Sequence, residues 1–115
     1  MAEYPRAPGK TTIDPEVLLS ISRLTALSVS GVSRMAPGPH NVDSLFKKSY
    51  SNGVKIEVEN NTVYIDLYVV MKRDTNLLET SKELQRKVSR AISEMVGMEA
   101  GYVNIHIEDI DYHTT

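Results

Sequence analysis

The sequence predicts an α+β fold: a two-layer sandwich whose mixed sheet of about four strands carries two helices on one face and leaves the other face exposed. Residues 14–31 and 76–97 have the capping residues and apolar spacing of amphipathic helices. Residues 54–71 alternate like a β-hairpin, and residues 102–109 alternate like one further strand. Because two helices can cover only one face of such a sheet, the second face is expected to meet solvent.

The composition is that of one small domain. A chain of 115 residues with 41% hydrophobic content can bury one modest core, so a single domain is expected over residues 10–111. Residues 1–9, which include two prolines and a glycine, are predicted to be a disordered N-terminal tail, and residues 112–115 a C-terminal tail. A net charge of −2 gives no general attraction for nucleic acid or anionic lipid. The chain has no cysteine and no apolar run long enough to cross a membrane, which favours a cytoplasmic protein.

The first helix is predicted from its start signal. Asp14 can cap the first turn, and Pro15 follows at a position where its missing N–H costs nothing. Gly31 is expected to close the segment, with short strands predicted at residues 10–13 before it and 32–35 after it. The stripe expected to pack on the sheet consists of Val17, Leu18, Ile21, Leu24 and Ser28.

The segment 36–53 has the weakest pattern in the chain. Prolines and glycine at 36–39 force a loop, and the residues that follow fit either one poor helical turn or an irregular flap. Phe46 is the one phenylalanine and is expected to anchor this loop to the core. Lys47 and Lys48 are its densest basic positions.

The hairpin has a register that can be derived. Asparagine tolerates positive φ, so Asn60 and Asn61 are predicted to form a two-residue turn. The apolar pairs that follow from this turn are Val58 with Val63, Ile56 with Ile65, and Val54 with Leu67. The polar pairs on the opposite face are Glu57 with Tyr64 and Lys55 with Asp66. A slip by one residue would bury the charges, so the register is well specified.

The second helix has signals at both ends. Asn76 can cap the first turn and Gly97 can take the left-handed conformation that ends the helix. Its predicted packing stripe is Leu84, Val88, Ala91, Ile92 and Met95. The strand at 102–109 follows, with Val103, Ile105 and Ile107 expected on the buried face.

No catalytic constellation, cofactor or metal site is predicted, so the chain is not expected to be an enzyme. The hairpin carboxylates Glu57, Glu59 and Asp66 lie on the face expected to be solvated, where a general acid or base lacks the burial that tunes it. His106 shares a strand face with Glu108, but the spacing matches no standard metal site. No serine lies in a nucleophile-elbow pattern.

Two surfaces are predicted to contact a partner: the exposed face of the sheet and the basic part of the loop. The candidate partner-binding residues are Lys47, Lys48, Tyr64, Asp66, Tyr68 and His106. Aromatic side chains on an open sheet stack bases in some RNA-binding modules, but the neighbouring carboxylates and the acidic balance make nucleic acid the weaker hypothesis. A ligand-sensing regulatory domain of similar two-layer shape is a further alternative.

An ordered series of segments resembles the alkaline-shock and general-stress protein family of bacteria. The segments are residues 13–17 (IDPEV), Gly31, Val32 and Met35, residues 53–58 (GVKIEV), residues 63–70 (VYIDLYVV), Leu84, Gln85 and Val88, and residues 103–107 (VNIHI). They cover about residues 10 to 110, nearly the whole domain. The chain departs from the common family pattern in the loop at 37–53 and after Val70, where residues 71–76 replace a more usual aromatic-glycine turn.

The resemblance implies a small cytoplasmic α+β protein tied to envelope stress and alkaline tolerance. It implies no catalytic residues. Some members of the family are held at the inner face of the membrane by a separate anchoring protein and can self-assemble. The expected function is therefore a non-enzymatic envelope or general stress protein that acts through protein–protein contacts, including contacts with an anchoring partner and with further copies of itself.

Overall fold

The structure is a computed structural model and describes residues 13–37 and 48–113. Within these residues the chain forms two α-helices and a five-stranded mixed sheet. The elements in chain order are α1 (Pro15–Leu27), β1 (Val32–Met35), β2 (Lys48–Ser51), β3 (Val54–Glu59), β4 (Thr62–Lys72), α2 (Leu77–Ala91), a π-helical turn (Ile92–Val96) and β5 (Glu99–Asp111). The predicted fold class, α+β with a mixed sheet, is confirmed.

Strand β4 organises the described sheet. Along one of its edges β5 runs parallel from Thr62 to Lys72. The other edge is shared by two antiparallel strands, β3 along the first half of β4 and β1 along its end, and β2 pairs with β3. The two strands meet at Tyr68, whose N–H donates to the Gly53 carbonyl at 2.8 Å and whose carbonyl accepts from Ala36 N–H at 2.8 Å.

The hairpin of β3 and β4 has the predicted register. Asn60 and Asn61 have φ of 52° and 62°, as a two-residue turn with both residues left-handed requires. All five predicted cross-strand pairs are present. Five of the six apolar members of these pairs are buried under the helices, because Val54, Ile56, Val63, Ile65 and Leu67 belong to one core cluster with Leu18, Leu19, Leu84 and Val88 of α1 and α2. The sixth, Val58, is half-buried and packs against the same cluster. Both helices therefore cover one face of the sheet.

The packing stripe predicted for α1 is wrong in part. Leu18, Ser22 and Ala26 are buried, whereas Val17 and Leu24 are exposed. The helix carries two apolar stripes, and spacing alone does not tell which of them faces inward. Ser22 and Ala26 are small and fully buried, which permits close packing on that side. The cap was predicted correctly, since the Asp14 carboxylate accepts from Glu16 N–H at 3.0 Å.

Helix α2 follows its prediction until the π-helical turn. Asn76 caps it by accepting from Glu79 N–H at 3.0 Å, and Leu84, Val88 and Ile92 are fully buried. Met95 was predicted to be buried but is exposed, whereas Val96 packs against the core. A π-helical turn contains more residues than an α-helical turn, so the inward position moves one residue along the chain. Gly97 ends the segment at φ 70°, as predicted.

Three predicted segments differ from the structure or lie outside it. Ile13 precedes α1 without strand structure, and residues 10–12 lie outside the described residues. Residues 48–51 form strand β2, where a helical turn or a flap was expected. Phe46, Lys47 and the predicted tails at 1–9 and 114–115 also lie outside the described residues.

The second face of the sheet is less open than predicted. Tyr68 and Val70 of β4 lie on this face, yet both are buried together with Ala36 in a separate small cluster. The more open area extends over the first half of β4, next to β3 and β5. That area carries most of the polar and aromatic side chains described next.

Candidate functional site

Six side chains from two parallel strands form an aromatic and polar group, here called the sheet-face patch: Tyr64, Asp66 and Tyr68 of β4 with Tyr102, Asn104 and His106 of β5. The parallel register places them in three cross-strand pairs, Tyr64 with Tyr102, Asp66 with Asn104, and Tyr68 with His106. Side chains that alternate along a strand share a face, so the three pairs stand in successive rows on the same side of the sheet.

Asp66 is the acceptor at the centre of the sheet-face patch. Its Oδ1 accepts from Asn104 Nδ2 at 3.2 Å and lies 2.9 Å from His106 Nε2. The His106 tautomer with its proton on Nε2 donates to this oxygen. The Asp66 side chain is only 15% exposed, whereas that of His106 is 41% exposed. The carboxylate therefore fixes the orientation of an imidazole that still reaches solvent.

His106 also stacks on Tyr68. Their ring centroids are 4.4 Å apart and their planes differ by 12°. Tyr68 lies on the predicted face, but at 8% exposure its ring is buried and does not project into solvent as expected. Tyr68 therefore contributes to a contact surface by positioning the His106 ring that stacks on it.

The pair of Tyr64 and Tyr102 is the most open aromatic part of the sheet-face patch. The ring centroids are 4.9 Å apart at an interplanar angle of 49°, and Tyr102 is 44% exposed. Partial burial raises the pKa of the Tyr102 hydroxyl, and the negative charges of Asp66 and Glu57 raise it further. Tyr102 was not among the predicted site residues, although its parity with Asn104 and His106 along the strand could have identified it.

Gly101 allows this ring arrangement. It is an extra residue of β5 at an irregularity in the pairing with β4, between the partners of Val63 and Tyr64. A Cβ at this position would lie 2.7 Å from Tyr64 Cδ1 and 2.9 Å from Thr62 Cγ2. The Tyr64 ring therefore occupies the space that a side chain at position 101 would need.

A second polar cluster lies at the far end of β5. Asp111 accepts from Ser33 Oγ at 2.6 Å and from Arg34 Nη1 at 3.3 Å, which ties β5 to β1 across the end of β4. The Ser33 hydrogen bond lowers the pKa of Asp111, as do the backbone N–H of His113 and the charge of Arg34. This cluster joins strands and is separate from the sheet-face patch.

The remaining predicted site residues are divided between described and undescribed parts of the chain. Lys48 lies in β2 opposite Glu57, and Lys47 lies outside the described residues. Four polar residues are close in sequence towards and just beyond the end of β5: His106, Glu108, Asp111 and His113. Two of them have different partners, since His106 contacts Asp66 and Asp111 accepts a hydrogen bond from Ser33. In residues 13–37 and 48–113 no three metal-binding side chains come together. In the same residues no helix is long and apolar enough to cross a membrane.

The chain is similar to several bacterial proteins. A family model described as the alkaline shock protein 23 family, with cell envelope-related function, matches residues 3–112. Uncharacterized protein YqhY of Bacillus subtilis is 28% identical over 110 residues, which are 92% of this chain and 80% of that protein. Uncharacterized protein YloU of the same organism is 26% identical, over 89% of this chain and 88% of that protein. Uncharacterized protein Spy1535 of Streptococcus pyogenes is 31% identical, over 89% and 79%. No solved structure has significant similarity to the chain.

Proposed function

The chain belongs to the alkaline shock protein 23 family, which has a cell envelope-related function, and on that premise we propose that it is a non-enzymatic envelope stress protein that acts through protein–protein contacts. The family predicted from the ordered segments is thereby confirmed. The finer role, the mode of action and the partners are proposals, and the sheet-face patch is the observation that supports them.

The composition of the sheet-face patch supports a contact surface for protein. Tyrosine is enriched at protein interfaces because it offers a large apolar ring with a polar end and few rotatable bonds. Tyr64 and Tyr102 stand on two paired strands of a packed sheet, so their backbone positions are rigid. Asp66 and Asn104 next to them provide hydrogen-bonding groups at the edge of the aromatic area. A partner that covers the two rings would also contact these polar groups, as at protein interfaces with an apolar centre and a polar rim.

A non-enzymatic role is supported by the way His106 is used. Its Nε2 is directed to Asp66, and its ring face is covered by Tyr68. An Asp–His pair activates a nucleophile only when a hydroxyl or thiol lies within hydrogen-bond reach of the other imidazole nitrogen. The hydroxyls of the sheet-face patch belong to tyrosines, and Tyr68, the tyrosine next to the imidazole, contacts it through its ring face. The pair thus fits a role in which Asp66 positions the ring for contact.

We also propose a location at the inner face of the cell membrane, to which a separate anchoring protein recruits the chain. This follows the resemblance to family members that are held in that way. Lys47 and Lys48 are proposed as a second contact area, and contacts between copies of the chain as a further mode of assembly.

Recovery of the tagged protein from its native cells tests this proposal. The protein is expected in the membrane fraction at low salt, together with an envelope protein that mass spectrometry identifies. Tyr102→Thr, which keeps a strand-forming residue, should reduce recovery of that partner. Tyr112→Thr is the matched control, because Tyr112 is also exposed but follows the end of β5. Recovery free of any envelope protein, or turnover of a substrate that is lost on His106→Gln, would contradict the proposal.

Binding of single-stranded RNA is a second candidate, because Tyr64 and Tyr102 form an aromatic pair on a sheet. The charges oppose it: Glu57 and Asp66 act on the Tyr102 hydroxyl and would repel phosphates. A titration of labelled RNA at low salt separates the two functions, since the phosphate contribution is strongest there. Binding that weakens steeply with salt and disappears in Tyr102→Thr would favour RNA.

A further inference from the structure

One row of the sheet combines a half-buried carboxylate with a half-buried ring and an exposed ring. Glu57 of β3 is the cross-strand partner of Tyr64, which is in turn the partner of Tyr102. Side chains paired in this way have Cβ atoms roughly 4.5–5.5 Å apart, so the carboxylate stands next to the ring pair. The Tyr64 ring occupies the space that a side chain at Gly101 would need, and the neighbouring Tyr102 is 44% exposed.

The two carboxylates near the rings differ in availability. Asp66 Oδ1 is already shared by Asn104 and His106, and its side chain is mostly covered. Among residues 13–37 and 52–113, whose side chains the structure describes, Glu57 has no hydrogen-bond or ion-pair partner. Its carboxylate is therefore the one that a ligand can engage.

The negative charges of this face act on the exposed ring of the row. Lys48 is the register partner of Glu57 on β2, and Lys55 is the register partner of Asp66 on β3. Lys55 stands on the side of its row that is remote from β5. At the β5 end, burial raises the pKa of the Tyr102 hydroxyl, and the negative charges of Asp66 and Glu57 raise it further.

We infer that Glu57, Tyr64 and Tyr102 form a docking site for an arginine side chain in a basic segment of a protein partner. The inference rests on the proposed function, and it names the chemical class of the partner. A guanidinium group is planar, stacks on aromatic faces and donates to a carboxylate in a fork. The row offers both complements, the Tyr64 and Tyr102 rings for stacking and, next to Tyr64 on β3, the Glu57 carboxylate for hydrogen bonds.

A separate partner fits this site better than a second copy of the chain. Of the five arginines in the described residues, four already pair with a carboxylate: Arg34, Arg73, Arg86 and Arg90. Insertion of one of these into the row of another copy would first break its own ion pair, which leaves the half-buried Arg23 of α1 as the one described arginine that a second copy could offer without that loss. Nucleic acid fits less well, because its phosphates would meet Glu57 and Asp66.

An NMR titration of the isotopically labelled full-length protein tests the site. The probe is a capped pentapeptide of sequence GRGRG, and the same peptide with citrulline in place of arginine is the matched control. The arginine peptide should shift the amide resonances of Glu57, Tyr64 and Tyr102, whereas citrulline, which keeps the shape but not the charge, should bind several-fold more weakly. Tyr102→Thr and Glu57→Gln should each weaken binding about two- to fivefold, the contribution of one exposed cation–π contact or charge pair. Tyr112→Thr and Glu108→Gln, beyond and near the far end of β5, should not change it.

Each other outcome overturns the inference. Equal binding of the citrulline peptide would show that charge is not recognised, and unchanged binding by Tyr102→Thr and Glu57→Gln would place the contact elsewhere. Shifts of the same three amides caused by protein concentration alone would assign the row to a second copy. Shifts caused by RNA and not by the peptide would assign it to nucleic acid.

The peptide titration also separates this inference from the proposed function. If the peptide does not bind but the wild-type protein is recovered with an envelope protein, the arginine site is wrong and the envelope role stands. If the peptide binds with the expected variant pattern but no envelope protein is recovered, the site stands and the envelope role is wrong.

Discussion

Replacement of Leu84 by alanine should destabilise the protein far more than the same replacement at Leu78. Both residues lie on α2, but Leu84 is fully buried between the helix and the sheet, whereas Leu78 is 64% exposed. Leu84→Ala removes three carbon atoms from the core, a transfer cost of about 2.4 kcal/mol at roughly 0.8 kcal/mol per methylene group. The cavity left behind adds to this, which gives a loss of about 3–5 kcal/mol in the free energy of unfolding. Leu78→Ala should change it by no more than about 0.5 kcal/mol.

Urea denaturation followed by circular dichroism measures both effects. The slope of the free energy of unfolding with urea should be the same in the two variants, so that the shift in midpoint reports stability alone. Equal midpoints for Leu84→Ala and Leu78→Ala would refute the assignment of the inward face of α2. A larger loss at Leu78 would show that α2 is rotated relative to the sheet.

Three further perturbations test other parts of the fold. Asn61→Val should lower the free energy of unfolding by about 1–2 kcal/mol, because Asn61 has φ of 62° and a β-branched residue is strained there, while Asn61→Gly should not lower it. Ser22→Ala should leave the free energy of unfolding unchanged or raise it by about 1 kcal/mol, since Ser22 Oγ is the one buried side-chain oxygen of the described residues without a hydrogen-bond partner. A clear loss of stability would show that Ser22 Oγ does form a hydrogen bond. Asp111 has a lowered pKa in the folded protein, so its stabilising effect is present above the unfolded value of about 3.9 and is lost as the pH falls through the folded value. The difference in stability between the wild type and Asp111→Asn should therefore shrink as the pH falls below about 4, whereas a difference that stays constant down to pH 2 would contradict the pKa assignment.

The sequence was sufficient for the hairpin because two independent signals agreed there. Asn60 and Asn61 defined the turn, and the alternation on either side admitted only one register that kept Lys55 and Asp66 out of the core. Alternation along each strand also assigned Asp66 and His106 to one face of the sheet. The hydrogen bond between them could not be predicted in the same way, because it depends on the parallel alignment of β4 and β5.

Other features depend on contacts that periodicity does not encode. The two apolar stripes of α1 are equivalent until the sheet selects one, so Val17 and Leu24 were placed inside although they are exposed. The π-helical turn after Ala91 shifts the inward position from Met95 to Val96. Burial of Tyr68 follows from the close approach of Ala36, which directly follows β1 and lies more than thirty positions earlier in the chain.

Site-specific photo-crosslinking in native cells tests the central claim most directly, the claim that the sheet-face patch contacts a protein of the cell envelope. A benzophenone amino acid in place of Tyr102 keeps an aromatic side chain on the exposed end of β5, and the same substitution at Tyr112 is the control. The account predicts that position 102 crosslinks to an envelope protein and that position 112 does not. Crosslinks to that protein from position 112 alone, or crosslinks from position 102 only to RNA, would contradict it.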